Sequence, residues 1–125
     1  MKYGVLMYTD PAETKAMSAA DRDAVGSKHQ ALRTELLASG ELVGGAAFAY
    51  PEDTATMRLA GEAVAVSHGP LLKSDLQLSA YYLLDCEDLG RALSIGERIL
   101  DFHVTAVEVR QVHDSVDTQE LTRGR

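Results

Sequence analysis

An alternation of apolar and polar side chains predicts a first strand over residues 2–9. Tyr3, Val5 and Met7 fall on one face of it, because successive side chains of a strand point to opposite sides. The opposite face is also largely apolar, which indicates that layers of structure cover both sides. Asp10-Pro11 ends the strand, since proline has no N–H group to donate to a sheet.

A helical periodicity follows and predicts a long helix from Ser18 to Ser39. Ser18 and Asp21 resemble a capping pair at its start, and Gly40 is a suitable C-terminal stop. Its apolar stripe recurs at steps of four, three and four residues and contains Val25, His29, Leu32 and Leu36. An ionisable ring therefore stands within an apolar stripe.

Five further strands and a second helix complete the predicted set. Gly44-Gly45 indicates a bulge or a close contact in the strand over residues 41–48, and Gly61-Glu62 suits a type II′ turn. The second helix begins between Asp85 and Asp88, and its predicted apolar face contains Leu89, Leu93, Gly96 and Leu100. The other strands span residues 54–60, 63–68, 79–85 and 104–112, with a loop over 69–78.

The resulting order, β-α-β-ββ-β-α-β, consists of two strand–helix–strand halves with a hairpin inserted between them. That order is typical of a ferredoxin-like α+β fold, an antiparallel sheet with two helices on one face. The open face would carry apolar residues such as Leu6, Tyr8 and either Tyr81 or Tyr82. Because a monomer rarely exposes so much apolar surface, we expect two copies to pack back to back as a homodimer.

The length and charge of the chain limit the functions that it can have. The 125 residues suit one domain, which we assign to residues 1–113, followed by a polar and flexible tail over 114–125. Lys and Arg number 12 against 19 Asp and Glu, so the net charge of −7 disfavours nucleic acid and anionic membranes as partners. The chain has no apolar stretch of about 20 residues, no signal-peptide pattern and a single cysteine, Cys86. These features predict a cytoplasmic protein.

Three stretches carry a resemblance to a known family. They are MKYGVLMYTDP, HQALRTELLASGELVGGAAF and HGPLLKSDLQLSAYYLLDCEDLGRAL. Together they resemble the YciI-like family, especially its DGPF branch, whose signature reads approximately DGPFAETKEQLGGYYLID. Here His68 replaces the leading Asp of that signature and Leu71 replaces its Phe. The residues kept include Gly69, Pro70, Leu78, Tyr81, Tyr82, Leu83 and Asp85.

The resemblance implies a dimeric α+β barrel of ferredoxin-like protomers, with a pocket between helix and sheet in each. It also implies a His–Asp pair at that pocket, at positions that His29 and Asp10 match. A few members of the family act without cofactor on small aromatic or quinone-like compounds, including by dehydrochlorination. Others are encoded beside sigma factors, which implies an alternative role as a non-catalytic module linked to transcriptional regulation.

The pair of Asp10 and His29 is the predicted catalytic site. Histidine titrates near neutral pH and can accept and return a proton in an elimination or isomerisation, while a carboxylate on its other nitrogen holds the tautomer. The structural alternative is a core histidine bonded to a backbone carbonyl, with Asp10 capping the turn into Pro11. We expect an unidentified small molecule as the substrate.

Four further residues are predicted to bind that substrate: His68, Tyr8, Tyr81 and Tyr82. His68 ends a strand before the Gly69-Pro70 loop, a place where site residues are common. Tyr81 and Tyr82 point to opposite faces, so at most one of them lines a given pocket. The alternatives are a surface histidine at a turn and tyrosines packed in the dimer core.

Metal and cofactor sites are not predicted. His29, His68 and Asp10 are suitable ligand types for zinc or iron, but no H-x-H or H-x-x-x-H spacing accompanies them. Gly44-Gly45 lacks the pattern of a nucleotide-binding loop. Cys86 precedes two acidic residues that raise a thiol pKa, which disfavours a nucleophilic role.

Overall fold

Six strands and three helices build the part of the chain that the computed structural model describes, residues 1–116. The strands β1 to β6 are Lys2–Thr9, Leu42–Ala47, Ala55–Ala60, Ala63–His68, Gln77–Asp85 and Ala106–Gln111. The helices α1 to α3 are Pro11–Ala16, Ala19–Ala38 and Leu89–Ile99, and a single 3₁₀ turn covers Pro51–Asp53. Most of the predicted tail over 114–125 lies outside the described residues.

Four strands form one antiparallel sheet in the order β2-β5-β1-β6. The two central strands, β1 and β5, each belong to a different strand–helix–strand half, so the halves interlock. The predicted ferredoxin-like α+β fold is therefore confirmed. No helix of the described residues is long and apolar enough to cross a membrane.

The core lies between the sheet and the helices α2 and α3. Tyr3, Val5 and Met7 are buried on one face of β1, as predicted, and Leu32 and Leu36 of α2 pack in the same cluster. Apolar side chains on this face hold the layers together, because burying each one contributes roughly 1.5–3 kcal/mol. The other members of the cluster are Tyr82, Leu84, Cys86, Ala92, Ile95, Ile99, Phe102 and Val104.

The predicted apolar face of α3 is wrong for its three leucines and confirmed for Gly96. Leu89, Leu93 and Leu100 are about half exposed, and the residues that face the core are Ala92, Ile95, Gly96 and Ile99. A Cβ atom on Gly96 would lie 3.3 Å from Val107 and 3.4 Å from Val109. Gly96 therefore allows the helix to approach β6 closely, and the three leucines lie on the outer side.

Local capping fixes both ends of α2. The Ser18 hydroxyl accepts a hydrogen bond from the Asp21 N–H at 3.1 Å, and Gly40 adopts a φ of +77° after the last turn. Both predictions are confirmed. The short helix α1 was not predicted: Asp10 ends β1 as expected and then caps this helix, its Oδ1 accepting from the Ala12 N–H at 2.9 Å.

The hairpin of β3 and β4 forms a separate two-stranded sheet. Gly61 at its tip has a φ of +67°, the sign that the first central position of the predicted turn requires. Met57 lies opposite Val66 and Leu59 opposite Val64, so the four share one face. We call these four residues the apolar hairpin face. They are 57–79% exposed within the single chain.

Candidate active site

A cavity of about 460 Å³ lies between α2 and the edge of the sheet formed by β2 and β5. Helix α2 contributes residues at steps of three, four and four, which fall on one side of a helix. The sheet contributes a mainly apolar floor and Tyr82. The lining residues of this His29 cavity are Gly26, His29, Arg33 and Leu37 from α2, together with Met7, Leu42, Val43, Gly44, Gly45, Ala46, Ala47, Ala80 and Tyr82.

The polar centre of the cavity is a pair formed by His29 and Tyr82. The His29 Nδ1 atom lies 2.8 Å from the Tyr82 hydroxyl oxygen, a normal hydrogen-bond distance. The Phe102 ring packs against the imidazole edge to face, with centroids 4.7 Å apart and planes at 72°. The imidazole is thus held by one hydrogen bond and one aromatic contact, and its orientation is fixed.

Burial determines the charge of this pair. It lowers the pKa of His29, and the positive charge of Arg33 lowers it further. Burial also raises the pKa of Tyr82, against the smaller opposing effect of the nearby Arg33 guanidinium. Both groups are therefore neutral at pH 7. A neutral imidazole can accept a proton, and a neutral phenol can donate a hydrogen bond.

Gly45 allows β2 to approach β5 closely enough to form the cavity floor. A Cβ atom at Gly45 would lie 2.7 Å from the Tyr81 carbonyl oxygen and 2.9 Å from Tyr82 Cδ1. No side chain fits in that space without displacing the backbone of β5. The close contact predicted from Gly44-Gly45 is confirmed, and it lies beside Tyr82.

Asp10 does not pair with His29. Its carboxylate caps α1, and it lines a different, smaller cavity of about 170 Å³ that includes His103. The predicted His29–Asp10 pair is thus replaced by His29–Tyr82. The Asp10 carboxylate accepts a hydrogen bond from the backbone N–H of Ala12, two residues along the chain, and therefore points toward α1.

Of the four predicted substrate-binding residues, only Tyr82 reaches the His29 cavity. Tyr8 and Tyr81 lie on the opposite face of the sheet, where the Glu108 carboxylate raises the pKa of Tyr8 and Phe48 lies 6.0 Å from the Tyr81 ring. His68 is exposed at the end of β4. The two tyrosines do point to opposite faces, as alternation requires.

Sequence reasoning missed three lining residues of α2: Gly26, Arg33 and Leu37. They lie beside the stripe of Leu32 and Leu36, and His29 stands on the border between the two sets. A signal was present, because Gly26, His29, Arg33 and Leu37 are spaced at helical steps of three, four and four residues. Because Arg33 is charged and lies outside the apolar stripe, the pattern of the helix predicts a solvent-exposed side chain rather than one that lines a cavity.

Other reactive groups lie apart from the cavity. Among residues 1–116, no cluster of three His, Cys, Asp or Glu side chains could hold a metal ion. His29, His68 and Asp10, the ligand types considered above, are separated in the fold. Cys86 is buried, and burial raises the pKa of its thiol, with Glu41 adding to the effect.

A comparison with known proteins finds a protein that is similar in sequence to this chain. An uncharacterised protein of Rhizobium meliloti (strain 1021) is 31% identical over 96 residues, which is 77% of this chain and 77% of that protein. The chain belongs to the same family as this Rhizobium protein. No protein-family model matches the chain.

Proposed function

We propose that the protein binds a small, mainly apolar molecule in the His29 cavity and transfers a proton on it without a cofactor. The observation that carries this proposal is the 2.8 Å contact between His29 and Tyr82 at the wall of a mainly apolar cavity. A volume of about 460 Å³ falls within the range of small-molecule sites. The resemblance to the YciI-like family supports the same type of activity.

The arrangement favours proton abstraction beside a carbonyl group. When the His29 Nδ1–H donates to the Tyr82 oxygen, Nε2 is left free to accept a proton from a substrate carbon. The Tyr82 O–H can then donate to the substrate carbonyl oxygen as negative charge develops on it. Return of the proton from Nε2 to the same carbon gives exchange, and its delivery to a different carbon of the enolate system completes an isomerisation. If the next carbon carries a leaving group, that group departs as an anion with its bonding electron pair as the double bond forms, and His29 later releases the proton to solvent.

Solvent exchange tests this function directly. We would incubate the protein in D₂O with phenylpyruvate and with its neutral amide, and follow deuterium entering the carbon next to the carbonyl by NMR. We expect exchange above the buffer rate with at least one compound, a loss of at least tenfold in His29→Gln, and a smaller loss in Tyr82→Phe.

Two further variants test whether exchange takes place in the cavity or at the protein surface. Gly26 lines the cavity, and a Cβ atom there would meet nothing within 4 Å, so Gly26→Leu should fill the space while the polar pair is kept. It should abolish exchange, whereas His68→Gln, at an exposed position, should not. Full exchange in folded His29→Gln would reject the proposal.

We also propose that the protein is a homodimer, as the apolar hairpin face suggests. Two of its members, Met57 and Leu59, are 68% and 79% exposed, yet they stand on a regular strand opposite two valines. A contiguous exposed apolar patch of this kind is typical of a protein–protein interface. The same observation favours the alternative function, a non-catalytic interaction module.

Sedimentation equilibrium decides between one copy and two. We expect a dimer for the wild type and a shift toward monomer for the double variant Leu59→Ser with Val64→Ser. The matched control is Arg58→Ser on the other side of the hairpin, which should leave the dimer intact. A wild type that stays monomeric at all concentrations would contradict the proposal.

A further inference from the structure

Arg33 supplies the permanent charge of the His29 cavity. The lining contains no Asp or Glu among the residues that the structure describes, and its other titratable members, His29 and Tyr82, are held neutral. Apolar and glycine residues form the remainder of the wall. The cavity therefore combines one positive charge with an apolar surface, in a chain whose net charge is −7.

The other arginines of α2 and α3 are engaged within the protein. Arg91 donates two hydrogen bonds of 2.8 Å to Glu41, and Arg98 pairs in the same way with Glu35 at 3.0 and 2.8 Å. Arg22 donates to three backbone carbonyl oxygens near the end of α1. Within residues 1–116, Arg33 has neither a carboxylate nor a backbone carbonyl partner, and it lies beside the Tyr82 hydroxyl, whose pKa it lowers by its charge and by hydrogen bonding. Its remaining N–H groups are available to a ligand.

We propose that the cavity selects small organic monocarboxylates, with the Arg33 guanidinium binding the carboxylate and the apolar wall holding the body of the molecule. This inference rests on the proposed function and names its substrate class. A planar guanidinium matches a carboxylate with two parallel N–H···O bonds, which a lysine or a neutral donor does not reproduce.

The position of Arg33 places the carboxylate next to the reactive pair. Arg33 stands one helical turn from His29, and its charge acts on both His29 and Tyr82. A 2-oxo acid bound in this way would present its carbonyl to the Tyr82 hydroxyl and its neighbouring carbon to His29. Recognition and proton transfer then use adjacent groups.

A matched pair of probes tests the inference. Phenylpyruvate and its amide share the apolar body and the ketone and differ in charge. We would measure binding of each by calorimetry and exchange by NMR, for wild type, Arg33→Gln, Arg33→Lys and the control Arg58→Gln. We expect wild type and the control to prefer the acid by at least tenfold, about 1.4 kcal/mol. Arg33→Gln should remove that preference, and Arg33→Lys should restore part of it.

The outcomes separate the two proposals. Equal binding and exchange of acid and amide, or a preference that survives in Arg33→Gln, would overturn the carboxylate inference and leave the proton-transfer proposal standing. Arg33-dependent binding of the acid without exchange would support the inference and reject proton transfer. Absence of both binding and exchange for both probes would overturn the two together.

Discussion

Strand β1 and the β3–β4 hairpin have similar apolar patterns and opposite surroundings. In β1, Tyr3, Val5 and Met7 are at most 2% exposed, because α2 and α3 cover that face. In the hairpin, Met57 and Leu59 are 68% and 79% exposed. Alternation therefore predicts a strand and its apolar face, while the element that covers that face is set by the tertiary structure.

The difference has an energetic consequence. A two-stranded hairpin alone is marginally stable in water, whereas a sheet covered by helices gains roughly 25 cal/mol for each Å² of apolar surface removed from water. In the proposed homodimer the partner would supply the cover that the single chain lacks for the hairpin. The same type of substitution should therefore change the free energy of unfolding by different amounts in the helix-covered sheet and in the hairpin.

The largest effect is expected from truncating a leucine in each region. Leu84 is fully buried in β5, so Leu84→Ala should lower the free energy of unfolding by about 2–5 kcal/mol through lost burial and the cavity it leaves. Leu59→Ala, in the hairpin, should change unfolding by less than about 1 kcal/mol under conditions where the protein is monomeric. Urea unfolding followed by circular dichroism measures both, and equal losses would mean that the hairpin is buried within one chain.

A second test compares a glycine of each region. Gly45→Ala introduces a methyl group where β5 leaves no space, and we expect a loss of about 1–3 kcal/mol together with displacement of Tyr82. Gly61→Ala has open space around it but a φ of +67°, so its cost is backbone strain of about 1 kcal/mol. Only the first variant should also weaken ligand binding in the His29 cavity, which calorimetry would show.

The elements and their order could be predicted because they depend on local patterns. Two kinds of feature could not. Helix α1 is six residues long, too short to show a helical period. The face of α3 was misassigned because leucines dominate its apolar pattern, whereas close approach to β6 requires Gly96. Steric fit thus outweighed hydrophobicity at that contact.

The site was predictable in part, for a similar reason. His29 is found from its place in an apolar stripe, which is a local signal. To predict that Tyr82 rather than Tyr81 lines the cavity, one needs the register that pairs Tyr82 with Val5. This register is a property of the assembled sheet. Asp10 was assigned to His29 from the family resemblance, but its carboxylate is used by the nearest backbone N–H.

The third prediction compares two ion pairs, Arg91–Glu41 beside the four-stranded sheet and Lys15–Glu52 near the hairpin. Arg91 of α3 pairs with Glu41, the residue before β2, and this pair lowers the pKa of Glu41 to about 2. We expect Glu41→Gln to cost about 1 kcal/mol at pH 7, since the pair lies near the surface. Glu52, near the base of the hairpin, pairs with Lys15 at an exposed position, and Glu52→Gln should cost much less.

The pH dependence of unfolding checks that assignment. A carboxylate with a lowered pKa adds stability that is present above its unfolded pKa of 4.5 and is lost as the pH falls toward about 2. The difference between wild type and Glu41→Gln should therefore shrink over that interval. A difference that is constant with pH would show that the pair stabilises the fold by packing rather than by charge.

The smallest effect is expected from the titration of His29, since a single half-buried ring contributes it. Burial lowers the pKa of His29 below its ordinary value of 6.5, so the unfolded chain takes up a proton at a higher pH than the folded protein does. Stability should consequently decrease as the pH falls below about 6.5, until the folded ring also titrates. Arg33 from α2 and Tyr82 from β5 face this ring. His29→Gln should flatten this part of the stability profile. An NMR titration of the His29 ring protons would measure the pKa itself, and a value at or above 6.5 would contradict the buried, neutral imidazole on which proton transfer depends.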